Sequence, residues 1–241
     1  CLKLNWAVRK TTERINSMSQ RLTSDNTPYE KIGDEVRSLA DEVPFEIPDS
    51  WEWVRLGSIV YSRGQTTPTT DFCYIDIGSI DNKNQKLNPT ETTIVPDKAP
   101  SRARKLVSMG DILYSTVRPY LHNMCIIDKE FSHAPIASTG FAVLTCHANL
   151  LNKFLFYYMM SPDFDAYANN ADNAKGVAYP AINDDRLYKA LIPIPPLAEQ
   201  HRVVSAIESI IMPLHNYGVK EEMLCALNVA FPESLKKSIL Q

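Results

Sequence analysis

Side chains able to contact nucleic-acid bases are concentrated in the polar segment 62–68, which carries Arg63, Gln65 and Thr66. Arginine and glutamine can make paired hydrogen bonds to guanine and adenine edges, and threonine can hydrogen-bond to several bases. A solvated hairpin loop would use the same residue types for another reason, because glycine and small polar side chains favour turns. The composition of this segment leaves both interpretations open.

Positive charge is densest at Arg102, Arg104 and Lys105. Such a cluster can neutralise phosphates, which positions a nucleic acid without recognising its sequence, and a solvated surface run is the alternative. Arg118 and Tyr120 flank a proline at the end of a predicted strand. They indicate either a turn in which Arg118 pairs with a carboxylate or a strand end that faces a ligand.

Motifs for catalysis are missing from the sequence. The eight glycines form neither a GxGxxG run nor a phosphate-binding loop, and no Asn/Asp-Pro-Pro-aromatic motif of amino-methyltransferases occurs. Asp76 and the turn 81–83 are spaced too loosely for a nuclease, and Cys146 and His147 have no further metal ligand nearby in sequence. The dispersed histidines support no Ser/His/Asp arrangement. We therefore predict no catalytic residue, no metal site and no cofactor held by this chain.

The overall composition is that of a globular chain of 241 residues, of which 44% are hydrophobic and 22% are charged. The net charge of −3 argues against binding nucleic acid through bulk charge, although a local basic face would suffice. Five scattered cysteines without a CxxC pair predict reduced thiols in a cytoplasmic protein. Apolar runs are too short for a membrane-spanning helix, which requires roughly 18–20 residues, so no membrane association is expected.

A central module over residues 44–196 must position the polar segments. Its short β-rich runs are separated by Gly, Pro, Asn and Asp, and they lie at 51–56, 72–77, 106–107, 111–117, 124–127, 140–146 and 188–194. A compact aromatic helix is predicted over 150–160. Trp51 and Trp53 alternate with a glutamate, which favours one strand face and a role in the core rather than base stacking. We predict an α+β fold with one mixed, mostly antiparallel sheet.

Helical segments bracket this module. Residues 1–24 carry apolar side chains at heptad spacing and predict an amphipathic helix, and the polar segment 25–43 is interpreted as a linker with one short helical turn. The proline-rich stretch 192–196 precedes a C-terminal helix over 197–241, kinked near 213–218. The predicted interface of this helix consists of Leu197, Val204, Ile207, Ile211 and Leu214. We expect the two long helices to pair as an antiparallel coiled coil.

Four segments, in this order, resemble the specificity (S) subunit of type I restriction–modification enzymes. They are PFEIPDSWEWVRLGSI at 44–59, GDILYSTVRPYLHN at 110–123, ASTGFAVL at 137–144 and IPIPPLAEQHRVVSAIE at 192–208. FPESLKKSILQ at 231–241 also resembles the helical region of that family, and YEKIGDEV at 29–36 resembles the linker before a second recognition domain.

The resemblance implies one target recognition domain followed by a spacer helix, without enzymatic activity. Such a subunit binds one half of a split double-stranded DNA target and docks adenine methyltransferase (M) subunits, with an endonuclease and translocase (R) subunit in the full complex. S-adenosylmethionine and ATP would then belong to partner subunits. Because one recognition domain is present, the chain is expected to be a half subunit or a truncated one, and two copies could form a homodimer through their helices.

DNA contact becomes the favoured role for the polar segments once this resemblance is taken into account. The predicted DNA-binding residues are Arg63, Gln65, Thr66, Arg102, Arg104, Lys105, Arg118, Tyr120, Lys175 and Tyr179. The last two flank Gly176, which would let the backbone approach a ligand closely. The competing hypothesis is a protein-binding adaptor with a helical dimerisation spacer and no DNA contact.

Overall fold

The computed structural model describes residues 28–32, 34–169, 181–211 and 213. The chain divides into two compact units, Cys1–Gln200 and His201–Gln241. Several predicted features lie outside the described residues: the N-terminal helix, Lys175, Tyr179, Leu214 and the kink beyond residue 213.

The described elements of the first unit follow the predicted alternation of short strands and turns. The strands are β1 Tyr29–Ile32, β2 Glu35–Ser38, β3 Glu52–Arg55, β4 Val60–Tyr61, β5 Phe72–Ile75, β6 Ile80–Asp81, β7 Lys86–Leu87, β8 Thr93–Ile94, β9 Ala103–Leu106, β10 Ile112–Ser115, β11 Met124–Ile126, β12 Ala134–Ser138, β13 Phe141–Cys146 and β14 Leu191–Ile194. The helices are α1 Leu56–Ile59, α2 Asn152–Met159, α3 Pro162–Asn169 and α4 Asp184–Lys189. A helical turn begins at residue 197, and residues 201–211 of the second unit are helical.

A four-stranded antiparallel sheet, ordered β11–β10–β13–β4 and called the central sheet, forms the middle of the first unit. Successive side chains of β10 alternate between two cores, because Ile112 and Tyr114 pack with helices α2 and α3 while Leu113 packs with the other large sheet. β13 alternates in the same way. Burying a large apolar side chain contributes roughly 1.5–3 kcal/mol, so both faces of the central sheet stabilise the fold.

The second four-stranded sheet, called the outer sheet, has the order β8–β5–β12–β9, with β5 and β12 parallel and the other pairs antiparallel. The chain passes from the outer to the central sheet at Thr139 and Gly140, between β12 and β13. The mostly antiparallel fold is confirmed. The prediction of one sheet is wrong, because hydrophobic alternation marks a strand without indicating which sheet it joins.

Strand β14, within the proline-rich stretch, pairs antiparallel with β3, and Pro193 lies opposite Trp53. Trp53 is buried in a small cluster with Leu39 and Leu191, which confirms its predicted place in the core. The predicted strand 188–194 begins later than expected, since α4 extends to Lys189.

Within the predicted linker 25–43, strands β1 and β2 stand where the sequence predicts a short helical turn. Strands β1 and β2 pair antiparallel, with Ile32 opposite Glu35. The buried carboxylate of Glu30 accepts hydrogen bonds from Arg55 Nε and Nη2, both at 3.0 Å, and from Arg37 Nη2 at 3.1 Å. A Gly-Asp pair between the strands is a hairpin signal in the sequence, but the contact with Arg55 is decided only by the tertiary fold.

Gln200 fastens the first turn of the helix that follows the prolines. Its side chain is 1% exposed, and its Oε1 accepts a hydrogen bond from the backbone N–H of Leu151 at 2.9 Å. Its Nε2 donates to the carbonyl oxygens of Asn149 and Pro195, each at 3.0 Å. Both donors and the acceptor of the side-chain amide are therefore used inside the protein.

We predict that Gln200→Ala lowers the free energy of unfolding by about 2–4 kcal/mol, because it leaves one amide and two carbonyl groups without their partner. Urea denaturation followed by circular dichroism measures the loss. The neighbouring His201 is exposed, and His201→Ala should change the stability by less than about 0.5 kcal/mol. Equal stabilities for the two variants would contradict this role of Gln200.

Glu91 connects three segments at the edge of the outer sheet. Its Oε2 accepts hydrogen bonds from the hydroxyl of Ser132 at 2.7 Å, from the backbone N–H of Ser132 at 3.1 Å and from the thiol of Cys73 at 3.3 Å. Lys129 Nζ lies 3.3 Å from Oε1. The bonds from Ser132, followed by those from Cys73 and Lys129, lower the pKa of Glu91 from 4.5 to about 2.

This depressed pKa makes the fold acid-sensitive, because the ionised carboxylate stabilises the folded state above pH 4.5 and that contribution is lost as the pH falls towards 2. We predict that Glu91→Gln is less stable at neutral pH and loses less additional stability between these two pH values. Urea midpoints measured across that range test this, with Glu130→Gln, at an exposed neighbouring glutamate, as the control. If wild type and Glu91→Gln lose stability in parallel on acidification, Glu91 has no such role.

Candidate nucleic-acid interface

The polar segment 62–68 runs alongside β9, the last strand of the outer sheet. The backbone N–H of Thr66 donates to the carbonyl of Arg104 at 2.8 Å, and the N–H of Leu106 donates to the carbonyl of Gly64 at 3.2 Å. Gln65 pairs with Lys105 in an antiparallel bridge. Two groups of predicted residues, far apart in sequence, therefore lie on one pair of neighbouring strands, called the ribbon, of which β9 also pairs with β12 in the outer sheet.

We call Gln65, Thr66, Arg102, Arg104 and Lys105 the β9 patch. The guanidinium group of Arg104 donates to the hydroxyl of Thr67 and, through Nε, to the carbonyl of Ser101 at 3.1 Å. Among the described residues, no carboxylate lies within salt-bridge distance of the three cations of the patch. The edge thus presents positive charge that the surrounding described side chains do not neutralise.

Backbone hydrogen bonds connect the β9 patch to the ends of two further strands. The carbonyl of Arg102 accepts from the N–H of Thr139 at 2.9 Å, and the carbonyl of Gly140 accepts from the N–H of Thr116 at 3.0 Å. Strands bonded in this way lie roughly 5 Å apart. Arg102, the crossover at 139–140 and the segment leading to Arg118 are therefore neighbours at one end of the two large sheets.

Residues 118–122 form a turn, called the Arg118 turn, around a short 3₁₀-helix Pro119–Leu121. Arg118 and His122 both have left-handed backbone conformations, with φ of 51° and 48°, which is uncommon for residues other than glycine. Tyr120, at the outside of the turn, is 50% exposed. Surrounding contacts must hold this backbone in place.

Helix α3 and the β6–β7 hairpin provide those contacts. His122 Nε2 lies 2.7 Å from Asp165 Oδ2, and the N–H of Tyr120 donates to Asn169 Oδ1 at 3.2 Å. From the other side, Asn82 Nδ2 donates to the carbonyl of Leu121 at 3.0 Å. The turn predicted from the Arg-Pro-Tyr sequence is confirmed, and two separate segments fix its position.

Both flanks of the segment 170–180 are attached near the same turn. Asn169, at one flank, accepts from Tyr120, and Ala181, at the other, forms a β-bridge with Val117. The N–H of Ile182 donates to the carbonyl of Thr116 at 2.9 Å. The predicted residues Lys175 and Tyr179 belong to the segment that connects these two attachment points.

Sequence reasoning missed the tip of the β6–β7 hairpin as part of this surface. Asn82 contacts the Arg118 turn, and Lys83 next to it is exposed. Asp81 accepts hydrogen bonds from the side chain of Asn84 and from the backbone of Lys83, and these bonds lower the pKa of its carboxyl group. The sequence 81–83 predicts only a turn with an Asp/Lys pair, and nothing in it indicates the contact with Leu121.

Arg63 occupies a different environment from the rest of its segment. Its Nε donates to Asp111 Oδ2 at 2.8 Å, and the Asp111 side chain is 0% exposed. Its guanidinium carbon lies 6.0 Å from the ring centroid of Tyr61. The sequence offered contacts with bases or a solvated loop for Arg63, and it gives no indication of this internal partner 48 residues away.

The predicted interface stripe is described in part. Leu197, in the first unit, is exposed. In the second unit Val204 is buried, Ile207 is partly buried and Ile211 is exposed. Their role at an interface stays a prediction.

Within residues 28–32, 34–169, 181–211 and 213, no three His, Cys, Asp or Glu side chains are arranged to hold a metal ion. Within the same residues, no helix has the length and apolar character needed to cross a membrane.

Comparison with known proteins relates the chain to a family. Residues 48–223 match the family described as "Type I restriction modification DNA specificity domain". The specificity subunit of the type I restriction enzyme EcoDI from Escherichia coli is 26% identical over 172 residues, which cover 70% of this chain and 36% of that subunit. The HindI specificity subunit from Haemophilus influenzae is 27% identical over 161 residues, covering 65% of this chain and 34% of that protein.

Solved structures show the same relationship. The crystal structure of the HsdS subunit from Thermoanaerobacter tengcongensis matches with a TM-score of 0.64 and 36% identity, covering 73% of this chain and 45% of that one. A structure of a type I restriction–modification system, described in terms of complex assembly and conformational transition, matches with the same TM-score and 35% identity. The chain spans about a third of the length of the curated relatives it matches.

Proposed function

Because the chain belongs to the type I restriction–modification DNA specificity family, we propose that it recognises one half of a bipartite double-stranded DNA target. Its relatives are named as specificity subunits, so its family role is non-catalytic recognition. The observation that carries the proposal is the β9 patch, where Gln65 and Thr66 lie on the same ribbon as three cations without a carboxylate partner among the described residues.

The edge formed by segment 62–68 and β9 faces the DNA. Base edges are accessible in the major groove, which is about 12 Å wide, and the outer sheet continues from β9 into β12 behind this edge. Arg102, Arg104 and Lys105 contact phosphates and set the position of the duplex, whereas Gln65 and Thr66 contact base edges. A net charge of −3 for the chain is compatible with this role because the cations are gathered at one edge.

The Arg118 turn provides a second contact region next to the first. Arg118 and Tyr120 approach the DNA from the strand ends, together with Lys175 and Tyr179. The attachment of residue 169 to the turn and of residue 181 to Val117 next to it supports this grouping. Asn82 and Lys83 extend the same region and are added to the contact residues predicted from sequence.

The remaining parts of the chain arrange the recognition domain among its partners. Residues 44–196 form the target recognition domain, 25–43 the segment before it, and 1–24 and 197–241 the long helices that pair as an antiparallel coiled coil. These helices set the distance to a second recognition domain and dock the methyltransferase subunits. The stripe Leu197, Val204, Ile207, Ile211 and Leu214 forms that interface. The endonuclease subunit joins in the full complex. A homodimer through the helices would supply two recognition domains, one for each half-site. S-adenosylmethionine and ATP are bound by the partner subunits.

Co-expression with the methyltransferase subunit of the same system tests this function. Genome-wide mapping of methylated adenines should give one split recognition sequence, and the chain alone should produce neither methylation nor cleavage of DNA. If the chain binds the methyltransferase but the complex retains no duplex and methylates no site, the protein-binding adaptor hypothesis replaces the proposal.

The cations of the β9 patch should determine the salt dependence of DNA binding. We predict that Arg102→Ala and Lys105→Ala each weaken binding on all sequences and reduce the slope of log K against log salt by about 0.9, the value for one lost phosphate contact. Fluorescence anisotropy of the complex with methyltransferase measures the slope. Lys189→Ala, at an exposed position on α4, serves as the control and should leave the slope unchanged. An equal reduction of the slope in all three variants would argue against a localised phosphate contact.

Gln65 should determine sequence preference instead. We predict that Gln65→Ala relaxes the methylated sequence at one base position by about 10-fold or more, since a paired contact to a base discriminates by about 1–3 kcal/mol. The salt slope should stay at the wild-type value because no charge is removed. Methylation mapping gives the preference, with Thr70→Ala, at an exposed position beyond the ribbon, as the control. An unchanged target sequence for Gln65→Ala would remove Gln65 from the base contacts.

A further inference from the structure

Asp111 is a fully buried carboxylate that accepts three hydrogen bonds from separate parts of the chain. Its Oδ2 accepts from Arg63 Nε and from the backbone N–H of Ser108, both at 2.8 Å, and its Oδ1 accepts from the hydroxyl of Thr145 at 2.7 Å. Burying such a charge is costly, and an ion pair seldom stabilises a fold more than apolar residues of the same volume would. This arrangement therefore calls for a role beyond stability.

The partner of Asp111 lies on the segment that carries the base-contacting residues. Arg63 is separated from Gln65 only by Gly64, which has a φ of 91° and no heavy atom within 4 Å of the position a Cβ would occupy. Glycine in this conformation restricts the chain very little. The segment is held on one side of Gly64 by the ion pair and on the other side by hydrogen bonds with β9.

We propose that Asp111 is a positioning residue that determines DNA specificity through Arg63. The Asp111–Arg63 ion pair fixes the entry of segment 62–67 relative to the central sheet, so that Gln65 and Thr66 reach base edges at a set distance from the cations of β9. Recognition through paired hydrogen bonds requires side chains placed within about 0.5 Å. In this arrangement Arg63 is part of the support, and Gln65 is the residue that contacts a base.

This inference rests on the proposed function, but its structural half can be tested without DNA. Asp111→Asn alone keeps the side-chain shape and removes the charge. Arg63→Ala combined with Asp111→Asn removes the contact entirely without leaving a buried charge unpaired, because the amide can still bond to Ser108 and Thr145. Arg63→Ala alone would strand the buried carboxylate and could unfold the protein.

Amide hydrogen exchange followed by NMR measures how strongly the segment 62–67 is held against β9. In the double variant we expect the amide of Thr66, which is bonded to Arg104, to exchange at least about 10-fold faster. The amide of Ile127, bonded to the backbone carbonyl of Asp111, should keep its protection and shows that the central sheet remains intact. Unchanged exchange at Thr66 would overturn the proposal.

The effect on specificity is measured by a selection experiment. The complex of the chain with its methyltransferase selects from a pool of short double-stranded DNAs with randomised sequence. We expect Asp111→Asn to reduce the preference for the selected sequence by about 10-fold, with an unchanged salt slope, and we expect Gln65→Ala to have less effect in that background than in wild type. If Arg63 contacted bases itself, Asp111→Asn would release it and leave the preference equal or stronger, which would overturn the proposal.

The outcomes separate the inference from the function on which it rests. A wild-type complex that selects no sequence would overturn the proposed function, whatever the exchange rates show. A wild-type complex that selects a sequence, with Thr66 exchanging faster in the double variant but preference unchanged in both variants, would overturn only the role of Asp111 in specificity.

Discussion

The structure depends on the burial of the central sheet on both faces. Helices α2 and α3 cover one face and the outer sheet covers the other, so side chains such as Ile112, Leu113 and Tyr114 are all enclosed. A sheet buried in this way cannot present a ligand-binding face. The charged side chains of the candidate interface are accordingly found beside the central sheet, on or next to β9 and in the turns between strands.

A few buried polar groups connect this apolar interior to the segments at the surface. Asp111 accepts a hydrogen bond from Arg63 in the segment 62–68. Gln200 holds the helical turn after the prolines, and Glu30 joins the first hairpin to Arg55. Each of these groups has at least one hydrogen-bond partner that is distant in sequence. Leaving such a group without its partner costs more than an apolar contact gains, so each one strongly favours a single position of the segment that it holds.

Local pattern was sufficient to locate most strands and the aromatic helix, because those elements are determined by hydrophobic runs and by the turn residues between them. It was not sufficient to separate the central from the outer sheet, or to identify the hairpin at β1 and β2. Two residues mark the features that the local pattern does not reveal. Gly140 lies at the crossover between the sheets, and the buried Glu30 is hydrogen-bonded to Arg55. Neither relationship is encoded within a window of neighbouring residues.

The sequence by itself determined the family, the absence of catalytic motifs and which segments carry side chains suited to DNA, because residue type and spacing are sufficient for those conclusions. Only the tertiary structure decided that Gln65 lies beside Lys105, that Arg102 and the Arg118 turn share one end of the sheets, and that Arg63 binds Asp111. The physical reason is that these contacts depend on strand pairing and on the satisfaction of buried charge, which join residues that are remote along the chain.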